Sequence, residues 1–488
     1  MNKVYRMRAV AASLSLVGLL GGCGAGVTLQ VTPADAGSGP AVEAWTTTGD
    51  KTRLLARETG LAFGGARPLP FTIEVDANRR YQTMAGFGAS ITDASAWLIQ
   101  RRMSPAQREA LLRELFGRGE NGIGFDFTRL TIGASDFSRH HYSFDDRPAG
   151  ESDMNLAHFS IEPNRAEVLP VVKQALAINP QLRVMASPWS APGWMKTTDS
   201  LIKGSLRPDR YDAFSRYLVR YVEAYAAEGV PIFALTVQNE PHFEPVDYPG
   251  MRVDSAARAV LIGQHLGPLL ERKAMKVQII DWDHNWDEPQ APMTVLADPV
   301  ARPYVAGVGW HCYVSESLLP NQTVVHEAHP DKDTWLTECS GGEWKPVWSE
   351  RLPWTVRHLI IGATRGWARG VQMWNLALDE NHGPHLGGCR DCRGVVTIDS
   401  RTGEVTRNLE YYAFAHASKF VRPGAHRIES TAAAGEIETV AFQNTDGSIA
   451  LVALNSTTAQ RRFSVRFKGR SFDYTLPRES VATFVWHG

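Results

Sequence analysis

Residues 233–241 read Phe-Ala-Leu-Thr-Val-Gln-Asn-Glu-Pro, an apolar run that gives way to two amides, a carboxylate and a proline. The run Phe233–Val237 is typical of a short buried β-strand. Asn239 and Glu240 would then stand at the carboxyl end of that strand, where barrel enzymes build their active sites. The alternative is a surface or salt-bridged glutamate, but this position predicts a carboxylate exposed at the mouth of a barrel.

Seven further apolar runs occur between residue 84 and about residue 420, and they alternate with longer segments of helical periodicity. In residues 208–228, for example, Phe214, Leu218 and Tyr221 recur every three or four positions, and Gly229 ends the pattern. Eight strand–helix units in this length predict the α/β class and a (β/α)8 TIM barrel. The predicted strands are Met84–Ile91, Phe125–Ile132, Arg183–Pro188, Phe233–Val237, Val277–Trp282, Gly307–His311, Thr334–Thr337 and Val371–Leu376.

A second carboxylate, Glu338, follows Trp335, Leu336 and Thr337 at the predicted end of the seventh strand. Glycoside cleavage commonly needs two carboxyl groups, which stand about 5–5.5 Å apart in the retaining mechanism and act as acid/base and nucleophile. Glu240 and Glu338 both lie at strand ends, where a barrel gathers its chemistry. We therefore expect them to be a catalytic pair.

The chain changes character after residue 430, where short alternating runs such as ETVAFQN and SIALVALN are separated by turn signals. This pattern predicts antiparallel strands of a small β-sandwich, which the segment LPFTIEVD at 69–76 is expected to join. The predicted organisation is a signal peptide at 1–22, a tether at 23–40, the N-terminal part of the sandwich at 41–80, the barrel at 81–420 and the C-terminal sandwich at 421–488.

The first residues have the features of an export signal. Lys3, Arg6 and Arg8 precede an apolar stretch at 9–20 that is too short to span a bilayer. The stretch ends in Leu-Gly-Gly-Cys, which resembles a bacterial lipobox, so Cys23 is expected to be lipidated. The alternative is an ordinary cleaved signal peptide. We expect an exported protein, either secreted or held at a membrane only through this anchor.

The composition is that of a globular protein, with 43% hydrophobic and 21% charged residues among 488. The formal net charge is −1, so nothing in the charge points to a nucleic acid as partner. Several of the 14 tryptophans stand beside proline, glycine or acidic residues, which is common for side chains that stack on sugars. A carbohydrate or glycolipid is the partner that these features favour.

Five motifs together resemble glycoside hydrolase family 30, the family of lysosomal glucosylceramidases and microbial β-1,6-glucanases. QNEP alone indicates only the wider clan, whose acid/base and nucleophile lie on strands four and seven. The motifs are GFGASITD at 86–93, ASPWSAPGWMKT at 186–197, QNEP at 238–241, TECS at 337–340 and WNLALDENHGP at 374–384.

The resemblance implies a retaining hydrolase of β-glucosidic bonds, glucosylceramidase-like or β-1,6-glucanase-like, that works by double displacement through a glycosyl-enzyme. Glu240 would be its acid/base and Glu338 its nucleophile. Asn239 would bind the sugar 2-hydroxyl, and Arg129 would keep the nucleophile ionised. The other residues matched to substrate-binding positions are Asp136, Trp189, His311, Tyr313 and Trp374.

Alternatives remain for three of these side chains. His311 could be a hydrogen-bonded core histidine, and Trp189 and Trp374 could be simple core aromatics. His385 stands where the lysosomal enzymes carry a pocket asparagine, and this departure argues against glucosylceramide as the natural substrate.

The cysteines allow several arrangements. Cys389 and Cys392 are close in sequence and are the natural disulfide pair in an exported protein, although with His382 and His385 they also have a plausible zinc spacing. Cys312 and Cys339 lie on neighbouring predicted strands, where a bridge is possible but buried free thiols are favoured. Hydrolysis by two carboxylates needs no metal or other cofactor, and none is expected.

Two rival functions follow from the same residues. A β-xylosidase, β-fucosidase or xylanase of the same family would differ only in its sugar subsites. A non-catalytic surface lipoprotein that binds glycans would have no need of two opposed carboxylates, which argues against it.

Overall fold

Eight parallel strands close into a barrel, as the sequence predicts. The computed structural model describes residues 39–64, 68–434 and 436–488. The predicted signal peptide, Cys23 and residues 23–38 of the predicted tether lie outside the described residues.

The described strands are numbered here in chain order. They are β1 (Ala41–Thr47), β2 (Ala56–Ala62), β3 (Thr72–Thr83), β4 (Gly86–Ser90), β5 (Phe127–Ile132), β6 (Arg183–Pro188), β7 (Ile232–Thr236), β8 (Gln278–Asn285), β9 (Val305–His311), β10 (Asp333–Glu338), β11 (Gly341–Gly342), β12 (Ala368–Asn375), β13 (Ala377–Leu378), β14 (Cys392–Arg393), β15 (Val396–Ile398), β16 (Val405–Arg407), β17 (His426–Ser430), β18 (Ala433–Ala434), β19 (Ile437–Gln443), β20 (Ser448–Asn455), β21 (Arg461–Phe467), β22 (Arg470–Leu476) and β23 (Ser480–His487).

The barrel runs in the order β4-β5-β6-β7-β8-β9-β10-β12 and closes from β12 back to β4. Each of the eight predicted strands is present, so the (β/α)8 prediction is confirmed. The main difference is in β8, which the sequence ends at Trp282 but which continues to Asn285. A small apolar cluster that includes Phe127, Met185 and Trp335 takes one residue from most of the strands and fills the interior.

The helices cover the outside of the barrel, and two of them contain a π-helical segment. Leu261–Leu266 joins α6 to α7, and Val356–Gly362 joins α10 to α11. No helix among the described residues is long and apolar enough to cross a membrane. The helices are α1 (Asp93–Arg101), α2 (Pro105–Phe116), α3 (Glu162–Arg165), α4 (Val168–Ile178), α5 (Tyr211–Ala227), α6 (Ser255–Val260), α7 (Gly267–Arg272), α8 (Gln290–Ala297), α9 (Pro320–Ala328), α10 (Trp348–Thr355), α11 (Ala363–Arg365) and α12 (Leu409–Ser418).

A ten-stranded sheet forms the side domain and has its own hydrophobic core. Its order is β2-β1-β23-β20-β19-β17-β3-β21-β22, with β18 paired to β19. The strands β1, β2 and β3 precede the barrel in sequence but pair with strands that follow it. The pairing of β3 with β21 is parallel, whereas the other pairings in this sheet are antiparallel. The fold class, a TIM barrel with an associated antiparallel β domain, is therefore confirmed.

Helix α12 links the barrel to this sheet through His416, which is completely buried. The Nδ1 atom of His416 lies 2.9 Å from the hydroxyl of Thr483 in β23, and its Nε2 atom lies 2.8 Å from the hydroxyl of Thr47 in β1. Burial lowers the pKa of His416 to about 3, so the ring is neutral in the folded protein at ordinary pH. The junction therefore depends on an uncharged imidazole.

We predict that His416 makes the protein acid-sensitive. Its pKa in the unfolded chain is about 6.5, so below that pH unfolding takes up a proton and stability falls by about 1.4 kcal/mol per pH unit. The loss extends from pH 6.5 down toward the folded pKa of about 3. His416→Gln should lower the free energy of unfolding at pH 7 but flatten its dependence between pH 6.5 and 4.5, as measured by urea unfolding. Equal slopes in the two proteins would contradict the assignment.

Candidate active site

A cavity of about 480 Å³ opens at the carboxyl ends of the barrel strands and contains both predicted carboxylates. A larger cleft of about 810 Å³ beside α2 shares no residue with it, and the glutamate Glu114 on its wall is already paired with Arg407. The chemistry therefore belongs to the smaller cavity. Its lining residues are Asp136, Trp189, Asn239, Glu240, Phe243, Glu244, Pro245, Val246, Asp247, Tyr248, Tyr313, Glu338, Trp344, Trp374, Gly388, Cys389 and Cys392.

Glu338 is the last residue of β10 and is held by two donors. Arg129 on β5 donates from Nη1 to Oε2 over 2.5 Å, and the hydroxyl of Tyr313 donates to Oε1 over 2.8 Å. Only 6% of the Glu338 side chain is exposed. Both contacts stabilise the ionised carboxylate and fix its direction.

Glu240 lies four residues beyond the end of β7 in a left-handed backbone conformation, with φ at 46°. This conformation is uncommon for a residue with a side chain, and it persists because the backbone N–H of Glu240 donates to the carbonyl of Asp283. The Oε1 atom lies 3.1 Å from Nδ1 of His311 and 3.7 Å from Nδ1 of His284. The side chain is 14% exposed, so water can reach it more easily than Glu338.

The two carboxylates face each other across His311. Its Nδ1 atom lies 3.1 Å from Oε1 of Glu240 and 4.0 Å from Oε1 of Glu338. The two Oε1 atoms can therefore be no further apart than the sum of those distances. Residues about a hundred positions apart in the sequence thus share one small space.

The residue that organises this space, Asp283, is one that the sequence analysis did not single out. It follows Trp282 in β8, and both residues have positive φ where the pairing of β8 with β9 shifts register. This irregularity points the carboxylate of Asp283 into the barrel. Its oxygens accept hydrogen bonds from Arg129 (2.6 Å), Ser187 (2.7 Å), Thr236 (2.9 Å), Thr337 (2.7 Å) and Nε2 of His311 (3.0 Å).

The hydrogen-bonded cluster around Asp283 shifts the pKa values of Asp283 and His311. Burial disfavours the charged form of Asp283, but the charge of Arg129 and the hydrogen bond from His311 lower its pKa far below the usual range. Burial alone would lower the pKa of His311, but Glu338, Asp283 and Glu240 raise it to about 9. His311 is therefore an imidazolium at neutral pH. It is completely buried and hydrogen-bonded, as the core-histidine alternative describes, and it is not among the residues that line the cavity, so its role toward the sugar stays a prediction.

The pKa values of the two glutamates shift in opposite directions. Burial raises the pKa of Glu338, and the positive charges of His311 and Arg129 oppose that rise. Burial acts on Glu240 as well, but the hydrogen bond from His311 and the charge of His284 outweigh it and lower the pKa of Glu240. The pair titrates as a unit because each carboxylate influences the other.

Asn239 and the two tryptophans also meet at Arg129. The Oδ1 atom of Asn239 accepts from Nη2 of Arg129 over 2.7 Å, which leaves the amide NH2 group free to donate. Trp189 and Trp374 stack on each other with ring centroids 4.8 Å apart, and Arg129 lies over the Trp189 ring. Both rings line the cavity, yet both are almost fully buried. They pack the site as well as facing it.

The loop after β12 forms one wall of the cavity. The carbonyl of Asp136 accepts from the N–H of Leu386, and a side chain at Gly388 would collide with the Asp136 carboxylate. Burial, together with the charges of Glu338 and Glu240, raises the pKa of Asp136 well above its usual value. His385 is not among the residues that line the cavity, and its ring contacts the ring of Phe137, so its predicted role in substrate binding stays a prediction.

The cysteines form two disulfides. Cys389 and Cys392 are bridged in the cavity wall, which makes their thiolates unavailable for the zinc site weighed above. Cys312 and Cys339 are also bridged, with Cα atoms 5.2 Å apart, so the expectation of buried free thiols is wrong. The reason is the parallel pairing that places His311 opposite Glu338, because the next residue of each strand then falls side by side.

A potential metal site must also be weighed. Among the described residues, ligand atoms of Glu240, His284 and His311 come within 4.8 Å of one another. His311, however, uses Nε2 for its bond to Asp283 and has a pKa of about 9, so at neutral pH both its nitrogens carry protons. A protonated imidazole cannot coordinate a cation. The chemistry of this donor set therefore favours a hydrogen-bonded cluster.

The structure adds a rim that the sequence analysis missed. Residues 243–248 come shortly after QNEP, and Trp344 comes shortly after TECS, so both lie in the loops that continue from β7 and β10. Phe243 is 46% exposed and Trp344 is 43% exposed, although both line the cavity. The position of Phe243 and Trp344 shortly after the two motifs was the signal in the sequence that could have identified them. Exposed aromatic rings at the rim of a cavity that holds two carboxylates are suited to stacking on sugars.

Comparison with known proteins identifies the family. The Glycosyl hydrolase family 30 TIM-barrel domain matches residues 84–421, and the Glycosyl hydrolase family 30 beta sandwich domain matches residues 424–484. The chain belongs to glycosyl hydrolase family 30. Family 30 membership confirms the resemblance drawn from the motifs, and the protein is a glycoside hydrolase.

Relatives within family 30 include both glucanases and glucosylceramidases. An endo-1,6-β-D-glucanase of Neurospora crassa is 34% identical over 430 residues, which cover 85% of this chain and 87% of the relative. The lysosomal acid glucosylceramidase of Mus musculus is 28% identical over 441 residues, or 85% and 83% of the two chains. The solved structure of the endo-β1,6-glucanase BT3312 has a TM-score of 0.84 and 33% identity, and the match covers 92% of this chain and 99% of that one.

We predict that Asp283→Asn lowers kcat/KM by at least about a hundredfold, because small displacements of reacting groups have effects of that size. The pKa of His311 should fall from about 9, since the Asp283 charge helps to raise it, and the alkaline limb of the pH–rate profile should move to lower pH. Steady-state kinetics between pH 5 and 10 would measure both effects.

Asp281→Asn is the matched control, because Asp281 lies on the same strand and forms an equally buried ion pair with Arg258. Both variants should lose about 3 kcal/mol of stability, the usual cost of breaking a buried pair. Only Asp283→Asn should shift the pH profile. Equal kinetic losses in the two variants would show that the role of Asp283 is general stability.

Proposed function

We propose that this family 30 enzyme is a retaining hydrolase of β-glucosidic bonds, with β-1,6-linked glucan as its preferred substrate. Glu338 is the nucleophile and Glu240 the acid/base. The observation that carries this proposal is the pair of carboxylates that face each other across His311 in the cavity.

The spacing is compatible with retention. Retaining enzymes hold their carboxyl groups about 5–5.5 Å apart, whereas inverting enzymes leave about 6.5–9.5 Å to admit a water molecule. The distances of 3.1 Å and 4.0 Å from Nδ1 of His311 keep the two Oε1 atoms no further apart than their sum, which includes the retaining distance and excludes the longer part of the inverting range. Retention is therefore proposed from membership of family 30 together with this spacing.

The surroundings of each carboxylate support its role. Glu338 is fixed by Arg129 and Tyr313, both of which donate to an ionised oxygen, as a nucleophile requires. Among the described residues, the partners of the Glu240 carboxylate are His311 and His284, and Glu240 is the more exposed of the two glutamates, so it can exchange protons with water and with His311. A group that gives up a proton in one step and takes one in the next needs this access.

The resting titration must change when sugar binds. The raised pKa of Glu338 and the lowered pKa of Glu240 favour a proton on Glu338, whereas the first step of the reaction needs that proton on Glu240. Because the two carboxylates share their titration, one proton can move between them, and His311 lies within reach of both. Of the two glutamates, only Glu338 accepts hydrogen bonds from Arg129 and Tyr313 among the described residues. We therefore assign the ionised form to Glu338 in the substrate complex.

The reaction then proceeds in two displacements. A carboxylate oxygen of Glu338 attacks C1 of the sugar while Glu240 protonates the departing glycosidic oxygen, and a covalent glycosyl-enzyme forms. Water then attacks C1 as Glu240 removes its proton, and the bond to Glu338 breaks. Asn239, oriented by Arg129, is placed to donate its free NH2 group to the sugar 2-hydroxyl.

The preference for β-1,6-glucan rests on the relatives and on the cavity. The curated relatives named as endo-1,6-β-glucanases are 31–34% identical to this chain, and the mouse lysosomal acid glucosylceramidase is 28% identical. The exposed rings of Phe243 and Trp344 at the rim provide surfaces on which further glucose units can stack. Glucosylceramide is the second candidate, because the same apolar rim could receive lipid chains.

Two further points concern the rival glycan-binding role and the N-terminal lipid anchor. A non-catalytic glycan-binding role is disfavoured by the opposed carboxylates, and release of reducing sugar from a β-glucan would exclude it. Export with lipidation at Cys23 also stays a proposal, supported by the N-terminal sequence. Equal partition of the wild type and Cys23→Ala into the soluble fraction would count against lipidation.

We predict that Glu338→Ala loses activity by a factor on the order of 10⁴ or more on every substrate, because a nucleophile has no substitute. Glu240→Ala should keep the first step for aryl glucosides with good leaving groups but release the sugar slowly. Added azide should accelerate Glu240→Ala and give the β-glucosyl azide, and in Glu338→Ala it should give the α-azide. NMR of the products distinguishes them, and the reverse pattern would exchange the two roles.

We also predict that the enzyme cleaves β-1,6-linked glucose oligomers at a rate at least comparable to that for glucosylceramide. The test is a comparison of kcat/KM on gentio-oligosaccharides, pustulan, aryl β-xylosides, aryl β-fucosides and glucosylceramide. Activity on the ceramide without any on the oligomers would refute the glucan preference. Activity confined to xylosides or fucosides would refute the glucose preference while leaving the two-carboxylate mechanism intact.

A further inference from the structure

The disulfide between Cys312 and Cys339 lies where two strands of the site end. The last residues of β9 and β10, His311 and Glu338, are paired, and each cysteine is the next residue of its strand. The backbone ladder between these strands stops at that pair, so the disulfide is the first connection beyond it. Cys339 is fully buried, and its carbonyl accepts a hydrogen bond from the N–H of Trp374.

The crosslink closes a small ring around the proposed nucleophile. Glu338 is bonded to Cys339, the disulfide joins Cys339 to Cys312, and Cys312 is bonded to Tyr313. The hydroxyl of Tyr313 then returns to Oε1 of Glu338 over 2.8 Å. Both ends of this hydrogen bond are therefore fixed by the same pair of sulfur atoms.

Tyr313 needs such an anchor because 41% of the residue is exposed to solvent. Its backbone N–H donates to the side chain of Asn285 over 2.9 Å, and its ring meets the ring of His311 edge to face at a centroid distance of 6.0 Å. Without the crosslink, the segment that begins at Cys312 gains freedom, and the hydroxyl can exchange Glu338 for water. The carboxylate would then lose one of its two direct donors, and Arg129 alone would orient it.

We propose that the Cys312–Cys339 disulfide is a positioning element for catalysis, which holds Tyr313 against Glu338, so that full activity requires the oxidised pair. This proposal rests on the proposed role of Glu338 as nucleophile. Reduction by a dithiol would break the S–S bond, add one electron and one proton to each sulfur, and convert the reductant to its cyclic disulfide. The enzyme would thus be fully active only in an oxidising compartment.

The test compares wild type with the double variant Cys312→Ser/Cys339→Ser on an activated aryl glucoside. We expect kcat to fall about ten- to hundredfold, because a poorly oriented carboxylate attacks less often, with KM changed by less than about threefold. The acidic limb of the pH–rate profile should move to higher pH. Loss of the Tyr313 donor raises the pKa of Glu338, and the ionised form is then lost earlier as pH falls.

A double-mutant cycle with Tyr313→Phe tests whether the crosslink acts through Tyr313. If it does, removing the disulfide in the Tyr313→Phe background should cost little more, because the hydrogen bond is already gone. Val325→Ala is the control for stability, since Val325 is buried on α9, which packs against β10, and belongs to the segment between the two cysteines without touching the proposed hydrogen bond between Tyr313 and Glu338. This control should lower the melting temperature without moving the pH profile.

Three outcomes separate the possibilities. Unchanged kcat and an unmoved acidic limb in the double serine variant would overturn the proposal, as would equal losses with and without Tyr313. If wild type is active and Glu338→Ala is inactive, either result refutes the positioning role and leaves the proposed function intact. If wild type hydrolyses no β-glycoside at all, the positioning role and the proposed function are both refuted.

Discussion

Arg129 and Asp283 place opposite charges 2.6 Å apart inside the barrel, with neither side chain exposed to water. Burying such charges is costly, and hydrogen bonds to the buried groups offset part of that cost. The Asp283 carboxylate accepts hydrogen bonds from residues of five other strands, β5, β6, β7, β9 and β10. The carboxyl ends of six neighbouring strands are therefore tied to one carboxylate. Glu240, Glu338 and Asn239 each make contact with a member of this cluster.

The bottom and the rim of the site differ in their exposure to solvent. The ion pair and the stacked rings of Trp189 and Trp374 form a buried floor, where low dielectric strengthens the hydrogen bond of Arg129 with Glu338. The loops above supply the walls, and they carry the exposed rings of Phe243 and Trp344. Under the proposed function, the floor carries the reaction and the rim meets the rest of the substrate. Family 30 includes relatives named as glucanases and as glucosylceramidases.

The covalent crosslinks lie at the boundary between floor and walls. One disulfide joins the ends of β9 and β10 beside Glu338, and the other closes the loop that faces Asp136. Away from the site, the side sheet receives strands from both ends of the described chain, and His416 joins it to the barrel. Helix α12 thus joins the barrel to this sheet through an uncharged imidazole.

The sequence by itself determined the eight barrel strands and the carboxylates Glu240 and Glu338, because strand periodicity and the residues at a strand end are local properties. The family followed from five motifs in combination. Asp283 was missed because its strand appeared to end at Trp282, and only the register shift in β8 turns the carboxylate inward. The Cys312–Cys339 bridge likewise depends on the register of two strands that meet in space, and His385 lies beside the cavity because of how its loop folds. Tertiary structure alone decided these points, because each depends on which distant residues become neighbours when the barrel closes.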